Sequence, residues 1–251
     1  MSESVLLSIG IIVLVAVLLL LTWRQLRHDM PFALRPLKAY EEVSKQVGLA
    51  VESGRRLHLT LGRAALHDTA GPTSVAALQV LRYLADASSQ SGVPPWVTVG
   101  DGTLLPAAQD DVRRAYEAAG RASEFRLTDV VFVADQDHPI AYAAGVTSAI
   151  EDSDTGNNVA VGRFGSEVAI IAEAGRRSAL SQVLGSDDPT AVALATAYTD
   201  NVLWGEELFA AGAYLDGTAV QMAGVRTQDI VRWFAVAAIL LIAGLRLLGL
   251  L

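Results

Sequence analysis

Residues 57–102, LHLTLGRAALHDTAGPTSVAALQVLRYLADASSQSGVPPWVTVGDG, decide the fold. The short apolar run Leu57–Leu61 is followed by residues 74–88, in which apolar side chains recur at helical spacing. A second apolar run, Trp96–Val99, comes next. This order predicts a strand, a helix and a second strand.

The same alternation continues towards the C-terminus. Residues 106–119 have helical spacing with a proline in the first turn, and residues 139–150 have a second such pattern. Between them, Asp129–Ala134 is a continuous apolar run, which is typical of a strand covered on both faces. The repetition predicts a three-layer α/β fold with a mostly parallel sheet.

Two pairs of apolar runs are separated by turn residues. Val159–Phe164 and Glu167–Ala172 flank the pair Gly165–Ser166, which predicts an antiparallel β-hairpin with a type II′ turn and therefore a mixed sheet. Asp216–Gly217 predicts a second, smaller hairpin.

Two further helices are expected in the same region of the chain. Residues 37–51 alternate apolar and charged faces at helical spacing, and Pro189 begins an alanine-rich helix that is predicted to be capped by Asp188 and to end near Ala211.

Both ends of the chain are apolar. Val5–Thr22 contains no charged residue and is long enough to cross most of a bilayer. A cleaved signal peptide is the alternative, but a basic leading segment and a cleavage site are both missing, which favours an uncleaved anchor. Trp233–Leu251 predicts a second span, in which Arg246 either reaches the headgroups or pairs with a partner.

The apolar ends predict three parts: an anchor at residues 1–27, a domain at 28–229 and a transmembrane helix at 230–251. Basic residues flank the domain side of both spans, so we expect a cell-membrane protein with its domain in the cytoplasm and both termini outside. These residues are Arg24, Arg27, Arg35, Lys38, Arg226 and Arg232.

Composition excludes several classes of function. The 251 residues include no cysteine, which rules out disulfides, thiolate metal sites and cysteine nucleophiles. The net charge of −8 argues against nucleic-acid binding, which needs a basic surface. The hydrophobic fraction of 52% reflects the two apolar ends.

Polar residues follow each of the three predicted strands. Gly62–Arg63 follows the first, residues 100–103 (GDGT) follow the second, and residues 135–138 (DQDH) follow the third. If the strands are parallel neighbours, these groups meet at one edge of the sheet, where open α/β sheets bind ligands. The candidates for acid–base or metal chemistry there are Asp101, Asp135, Asp137 and His138. The alternative is that they are ordinary turn and cap residues.

Known sequence motifs do not indicate a particular catalytic or binding function. The chain has no G-x-G-x-x-G opening a helix, no Walker sequence, no G-x-S-x-G and no H-E-x-x-H. The acidic run 151–154 fails the later positions of an EF-hand loop, so no metal site and no cofactor are predicted. His58 lies inside an apolar strand and is expected to be a hydrogen-bonded core residue.

Two stretches resemble an uncharacterised family of membrane-anchored bacterial and archaeal proteins. They are FALRPLKAYEEVSKQVGLAVESGRRLHLTLGRA (residues 32–64) and GNNVAVGRFGSEVAIIAEAG (residues 156–175). The resemblance implies a domain of unknown function and supplies no site residue.

Three functions are compatible with this sequence. The first is a scaffold, held in the lipid bilayer, whose cytoplasmic domain forms homo-oligomers. The second is a membrane-tethered module that binds a nucleotide or another small ligand at the strand ends. The third is a metal-dependent hydrolase at the same edge. The absence of catalytic motifs favours the first and a role that is not enzymatic.

Overall fold

The computed structural model describes residues 3–27 and 34–247, so the first residues of the predicted domain at 28–229 lie outside the described part. The chain divides into two units: a central domain, Pro36–Asp216, and a terminal unit formed by Met1–Arg35 with Gly217–Leu251.

Helices and strands alternate through the central domain, and the first and last helices of the chain belong to the terminal unit. The helices are α1 (Glu3–Arg27), α2 (Lys38–Ser53), α3 (Gly71–Ser91), α4 (Leu104–Ala118), α5 (Pro139–Ile150), α6 (Val168–Arg177), α7 (Pro189–Ala195), α8 (Ala211–Leu215) and α9 (Ala219–Leu247). The strands are β1 (Arg56–Gly62), β2 (Trp96–Val99), β3 (Val130–Phe132), β4 (Thr155–Arg163), β5 (Ser181–Ser186) and β6 (Val202–Trp204). Short 3-10 helices lie at Ala122–Glu124, Leu127–Asp129 and Gly205–Ala210.

The terminal unit consists of α1 and α9, which are both long and apolar enough to cross a membrane. The two helices contact each other through buried hydroxyls, since Thr22 Oγ1 and Thr227 Oγ1 are 2.9 Å apart. The small hairpin predicted at Asp216–Gly217 is wrong, because the chain is helical again from Ala219.

The six strands form one sheet in the order β3-β2-β1-β4-β5-β6, and every pair of neighbours is parallel. The α/β fold class is confirmed. Helices cover both faces of the sheet, as predicted. The helices α2, α3, α4 and α8 pack on one face, and α5, α6 and α7 pack on the other.

The predicted hairpin around Gly165–Ser166 is wrong, because its second arm is the helix α6. In α6 the buried side chains Val168, Ile171 and Ala172 recur at helical spacing, whereas a strand would bury every second residue. The sheet is therefore wholly parallel and not mixed.

The alanine-rich helix predicted to run to Ala211 is also wrong in extent. Asp188 caps α7 as predicted, its side chain accepting hydrogen bonds from the backbone amides of Thr190 and Ala191. However, the helix ends at Ala195, and the edge strand β6 follows.

The strand β3 lies at the opposite edge of the sheet from β6. It was predicted to be covered on both faces, but its side chains Val131 and Phe132 are exposed, so that expectation is wrong.

The two ends of the central domain meet on its α3 face. The ring of Tyr40 in α2 stacks on that of Tyr214 in α8, with the centroids 5.0 Å apart. Asp216 is close enough to Asp86 of α3 to help raise the pKa of the Asp86 carboxyl, although partial burial of that carboxyl is the larger cause. Asp86 lies about 22 Å along α3 from its first residue, Gly71. The chain thus leaves the domain beside the later part of α3.

Candidate functional site

A polar cleft of about 380 Å³ opens at the carboxyl ends of the strands. Here the strand order reverses, because β1 and β4 are neighbours although they are not consecutive. Open parallel sheets bind ligands at such a point. We call this feature the switch-point cleft, and its lining residues are Arg63, Ala64, Asp68, Thr69, Ala70, Gln136, Asp137 and Arg163.

Two glycines let the ends of β1 and β4 approach closely. Gly62 has φ +77° and Gly162 has φ +148°, both in the region that favours glycine. A Cβ on Gly162 would lie 2.2 Å from the backbone oxygen of Leu61, and a Cβ on Gly62 would lie 2.6 Å from the backbone nitrogen of Arg163. The close approach at the two glycines therefore fixes the positions at which the residues that follow them, Arg63 and Arg163, enter the cleft.

The side chain of Arg63 is held in place from two sides. Its Nε donates to Glu167 Oε1 at 2.8 Å, and Glu167 is a buried residue that also accepts from the backbone amide of Gly165. Its Nη1 donates to the backbone oxygen of Gln136 in the loop after β3. The guanidinium is thus oriented before any ligand arrives.

Arg163 is held by the loop after β5. Its Nη1 donates to Asp187 Oδ2 at 2.9 Å, and its Nη2 lies 3.8 Å from Asp188 Oδ2. Asp187 Oδ2 also accepts from the hydroxyl of Thr73 in the first turn of α3 at 2.8 Å. Arg163 is more exposed than Arg63, so it is the more accessible of the two cations.

The cleft therefore combines oriented donors with acidic acceptors. A guanidinium carries five N–H donors, and the contacts described above engage only part of each set. The first turn of α3 adds the positive end of a helix dipole beside Ala70. The carboxylates of Asp68 and Asp137 also line the cleft and would repel a polyanion. Such a site suits a small ligand with one anionic group and several hydroxyls.

The four predicted catalytic side chains lie in two turns: Asp101 lies in the turn after β2, and Asp135, Asp137 and His138 share the turn after β3. The carboxylate of Asp101 accepts from the backbone amide of Thr103 at 2.7 Å. Asp135 accepts from the backbone amide of Asp137 and lies within hydrogen-bond distance of the His138 ring. Of the four, only Asp137 lines the cleft.

The ion pair of Asp135 with His138 is exposed, and it shifts the pKa values of both side chains. The contact lowers the pKa of the Asp135 carboxyl and raises the pKa of the His138 imidazole. Within residues 3–27 and 34–247, no group of three His, Cys, Asp or Glu side chains could hold a metal ion.

His58 is the hydrogen-bonded core residue that the sequence predicts. Its Nδ1 lies 2.8 Å from Asn158 Oδ1, and its Nε2 lies 3.0 Å from Thr98 Oγ1. Asn158 donates in turn to Gln182 Oε1 at 3.2 Å, which extends the row to β5. Burial lowers the pKa of His58 to about 4, so the imidazole is neutral at pH 7. The row is part of the core and does not reach the cleft.

Arg163 is a site residue that was not predicted, although the sequence carries a signal for it. The strand ends LTLGRA and VAVGRF both place Gly-Arg directly after an apolar run. Interpreting the second copy as the first arm of a hairpin concealed the parallel between them.

A family model described as Domain of unknown function (DUF6754) matches residues 2–250. The chain belongs to this family, which confirms the family resemblance of the two quoted stretches. No curated protein and no solved structure matches the chain.

Proposed function

We propose that this protein is a membrane-tethered binding module whose switch-point cleft takes a small polar ligand with one anionic group. One observation carries the proposal: Arg63 and Arg163 leave the adjacent strand ends β1 and β4 at the point where the strand order reverses. Buried or partly buried carboxylates orient both guanidiniums, and such preorganisation lowers the cost of binding.

In this proposal, α1 and α9 span the cell membrane as a two-pass hairpin. The central domain is cytoplasmic and both termini lie outside, as the flanking basic residues indicate.

Ligand-dependent stabilisation of the full chain tests the binding proposal. The protein would be held in detergent without added phospholipid, so that lipid headgroups cannot act as the ligand. Inorganic phosphate, ribose 5-phosphate and adenosine monophosphate (AMP) would then be added separately. A ligand at 100 times its Kd stabilises a fold by about 2.7 kcal/mol. For a domain of this size, that corresponds to a rise in Tm of roughly 5–10 °C.

A matched pair of arginine variants assigns the effect to the cleft. Arg163→Ala removes the accessible guanidinium and should abolish most of the shift in Tm. Arg113→Ala removes an exposed arginine of α4, which pairs with Asp110 away from the cleft, and should leave the shift unchanged. If none of the three compounds raises Tm, or if both variants lose the rise in Tm equally, the proposal is rejected.

The proposed topology can be tested by chemical labelling, because the chain has no cysteine of its own. Gln90 is exposed on α3, so Gln90→Cys introduces one reactive thiol in the central domain. A membrane-impermeant maleimide should label this thiol in intact cells only after the membrane is permeabilised. Labelling without permeabilisation would place the domain outside.

Self-association of the central domain is a second candidate, and the exposed edge of the sheet favours it. Phe132 on β3 is 41% exposed, and Leu127 just before this strand is 66% exposed. An edge strand with apolar side chains is a template for pairing with a second copy. Phe132→Lys should then shift native mass towards the monomer in mild detergent. A wild-type protein that is monomeric at all concentrations would exclude this role.

A further inference from the structure

Trp204 stands exposed at the carboxyl end of β6. Its side chain is 55% exposed, whereas Val202 and Leu203 before it are buried. It lines a second pocket of about 280 Å³ together with Asp187, Pro189, Val192 and Gly205. An exposed indole beside apolar side chains offers a flat, apolar surface for a planar ring.

The Trp204 pocket and the switch-point cleft meet at one ion pair. Asp187 lines the pocket and accepts a hydrogen bond from Arg163, which lines the cleft. Trp204 lies on β6 and Arg163 ends β4, with β5 between them. Neighbouring strands are about 4.8 Å apart, so the backbones of β4 and β6 are separated by roughly 10 Å.

The space beside Gly205, the residue after Trp204, is open. Gly205 has φ +50°, and a Cβ placed on it would meet nothing within 4 Å. The carboxylate of Asp187, between the two features, can accept hydrogen bonds from hydroxyl groups. In the described part of the chain, its Oδ1 is buried and has no hydrogen-bond partner, so a ligand hydroxyl would reach this atom only after a small movement of the side chain.

We propose that Trp204 binds the planar ring of a ligand whose anionic group lies at Arg63 and Arg163. The ligand class is then a nucleoside monophosphate or a close relative: a ring, a hydroxylated linker and one anionic group. This inference rests on the proposed function, because it identifies the ligand of the same site. It adds a ring-binding residue that the cleft alone does not provide.

Fluorescence and affinity measurements on the full chain in detergent test the inference. AMP carries both the ring and the phosphate, ribose 5-phosphate lacks the ring, and adenosine lacks the phosphate. AMP should quench the fluorescence of Trp204. Trp204→Phe should remove the quenching yet retain binding, because phenylalanine still stacks. Trp96→Phe changes a tryptophan at the opposite, amino end of the sheet and should preserve the quenching.

Comparing the affinities for AMP and for ribose 5-phosphate separates the contribution of the ring from that of the phosphate. Stacking of a base on an aromatic side chain accounts for about 5- to 150-fold in affinity, so Trp204→Ala should weaken AMP binding by a factor in that range. The same variant should leave the affinity for ribose 5-phosphate unchanged.

Two results would overturn the inference, and they differ in what they imply. If AMP and ribose 5-phosphate bind equally and Trp204→Ala affects neither, the ring site is wrong while the anion site stands. If none of the three compounds binds, the proposed function fails and the inference fails with it.

Discussion

Acid should weaken the central domain through His58. This imidazole is fully buried in β1, and desolvation lowers its pKa from 6.5 to about 4 in the folded protein. As the pH falls below 6.5, His58 becomes protonated in the unfolded chain but stays neutral in the folded chain. The stability that neutral His58 provides is therefore complete above pH 6.5 and is lost as the pH approaches 4.

The size of the effect follows from the two pKa values. They differ by about 2.5, and each pKa unit corresponds to about 1.36 kcal/mol. At pH 4 the folded histidine is half protonated, so the free energy of unfolding should be lower by about 3 kcal/mol. Both ring nitrogens already have partners in Asn158 and Thr98, which leaves the added charge poorly accommodated.

Urea unfolding of the full chain, followed by circular dichroism between pH 4 and pH 7.5, measures this loss. Carboxylates also titrate in part of this range, so the comparison must be made between variants. The glutamine in His58→Gln cannot titrate. Between pH 7.5 and pH 4, the free energy of unfolding of this variant should therefore fall by about 3 kcal/mol less than that of the wild type. His67→Gln removes an exposed histidine and should follow the wild type. Identical pH dependence in wild type and His58→Gln would refute the reasoning.

Three other substitutions probe the cleft and the terminal unit. Gly162→Ala should cost about 3 kcal/mol or more in urea unfolding, because it strains the backbone and crowds the neighbouring strand; unchanged stability would contradict the close approach. Arg63→Ala should cost about 3–5 kcal/mol by leaving the Glu167 carboxylate buried and unpaired, and adding Glu167→Gln should recover part of it; strictly additive costs would mean that the pair is not coupled. Thr22→Val combined with Thr227→Val should weaken the packing of α1 against α9 by about 0.6–1.7 kcal/mol, measured by reversible unfolding in SDS, and no change would argue against the buried hydroxyl contact.

The early part of the sheet could be predicted because its signals are local. LHLTL alternates, with Leu57 and Leu59 in the core under α3 and His58 on the opposite face, and each apolar run is separated from the next by one helix. The later part lacked such signals. SQVLGS contains one short apolar pair, and its strand, β5, is defined by its pairing with β4, which sequence alone does not show.

The candidate site was only half predictable for a similar reason. Arg63 follows a strand that the sequence identifies, so its place at the carboxyl edge was expected. Arg163 becomes its neighbour only because β4 pairs with β1 and not with β3, a choice made by tertiary packing. Of the predicted acids only Asp137 lines the cleft, because the carboxylates of Asp101 and Asp135 accept hydrogen bonds from backbone amides of their own turns.

Hydrogen–deuterium exchange of the full chain, with and without AMP, tests the central claim most directly. The account predicts slower exchange in residues 62–71 and 162–167, which include Arg63 and Arg163 of the switch-point cleft, and little change in α4. Protection confined to other segments, or no protection at an AMP concentration that saturates binding, would contradict it.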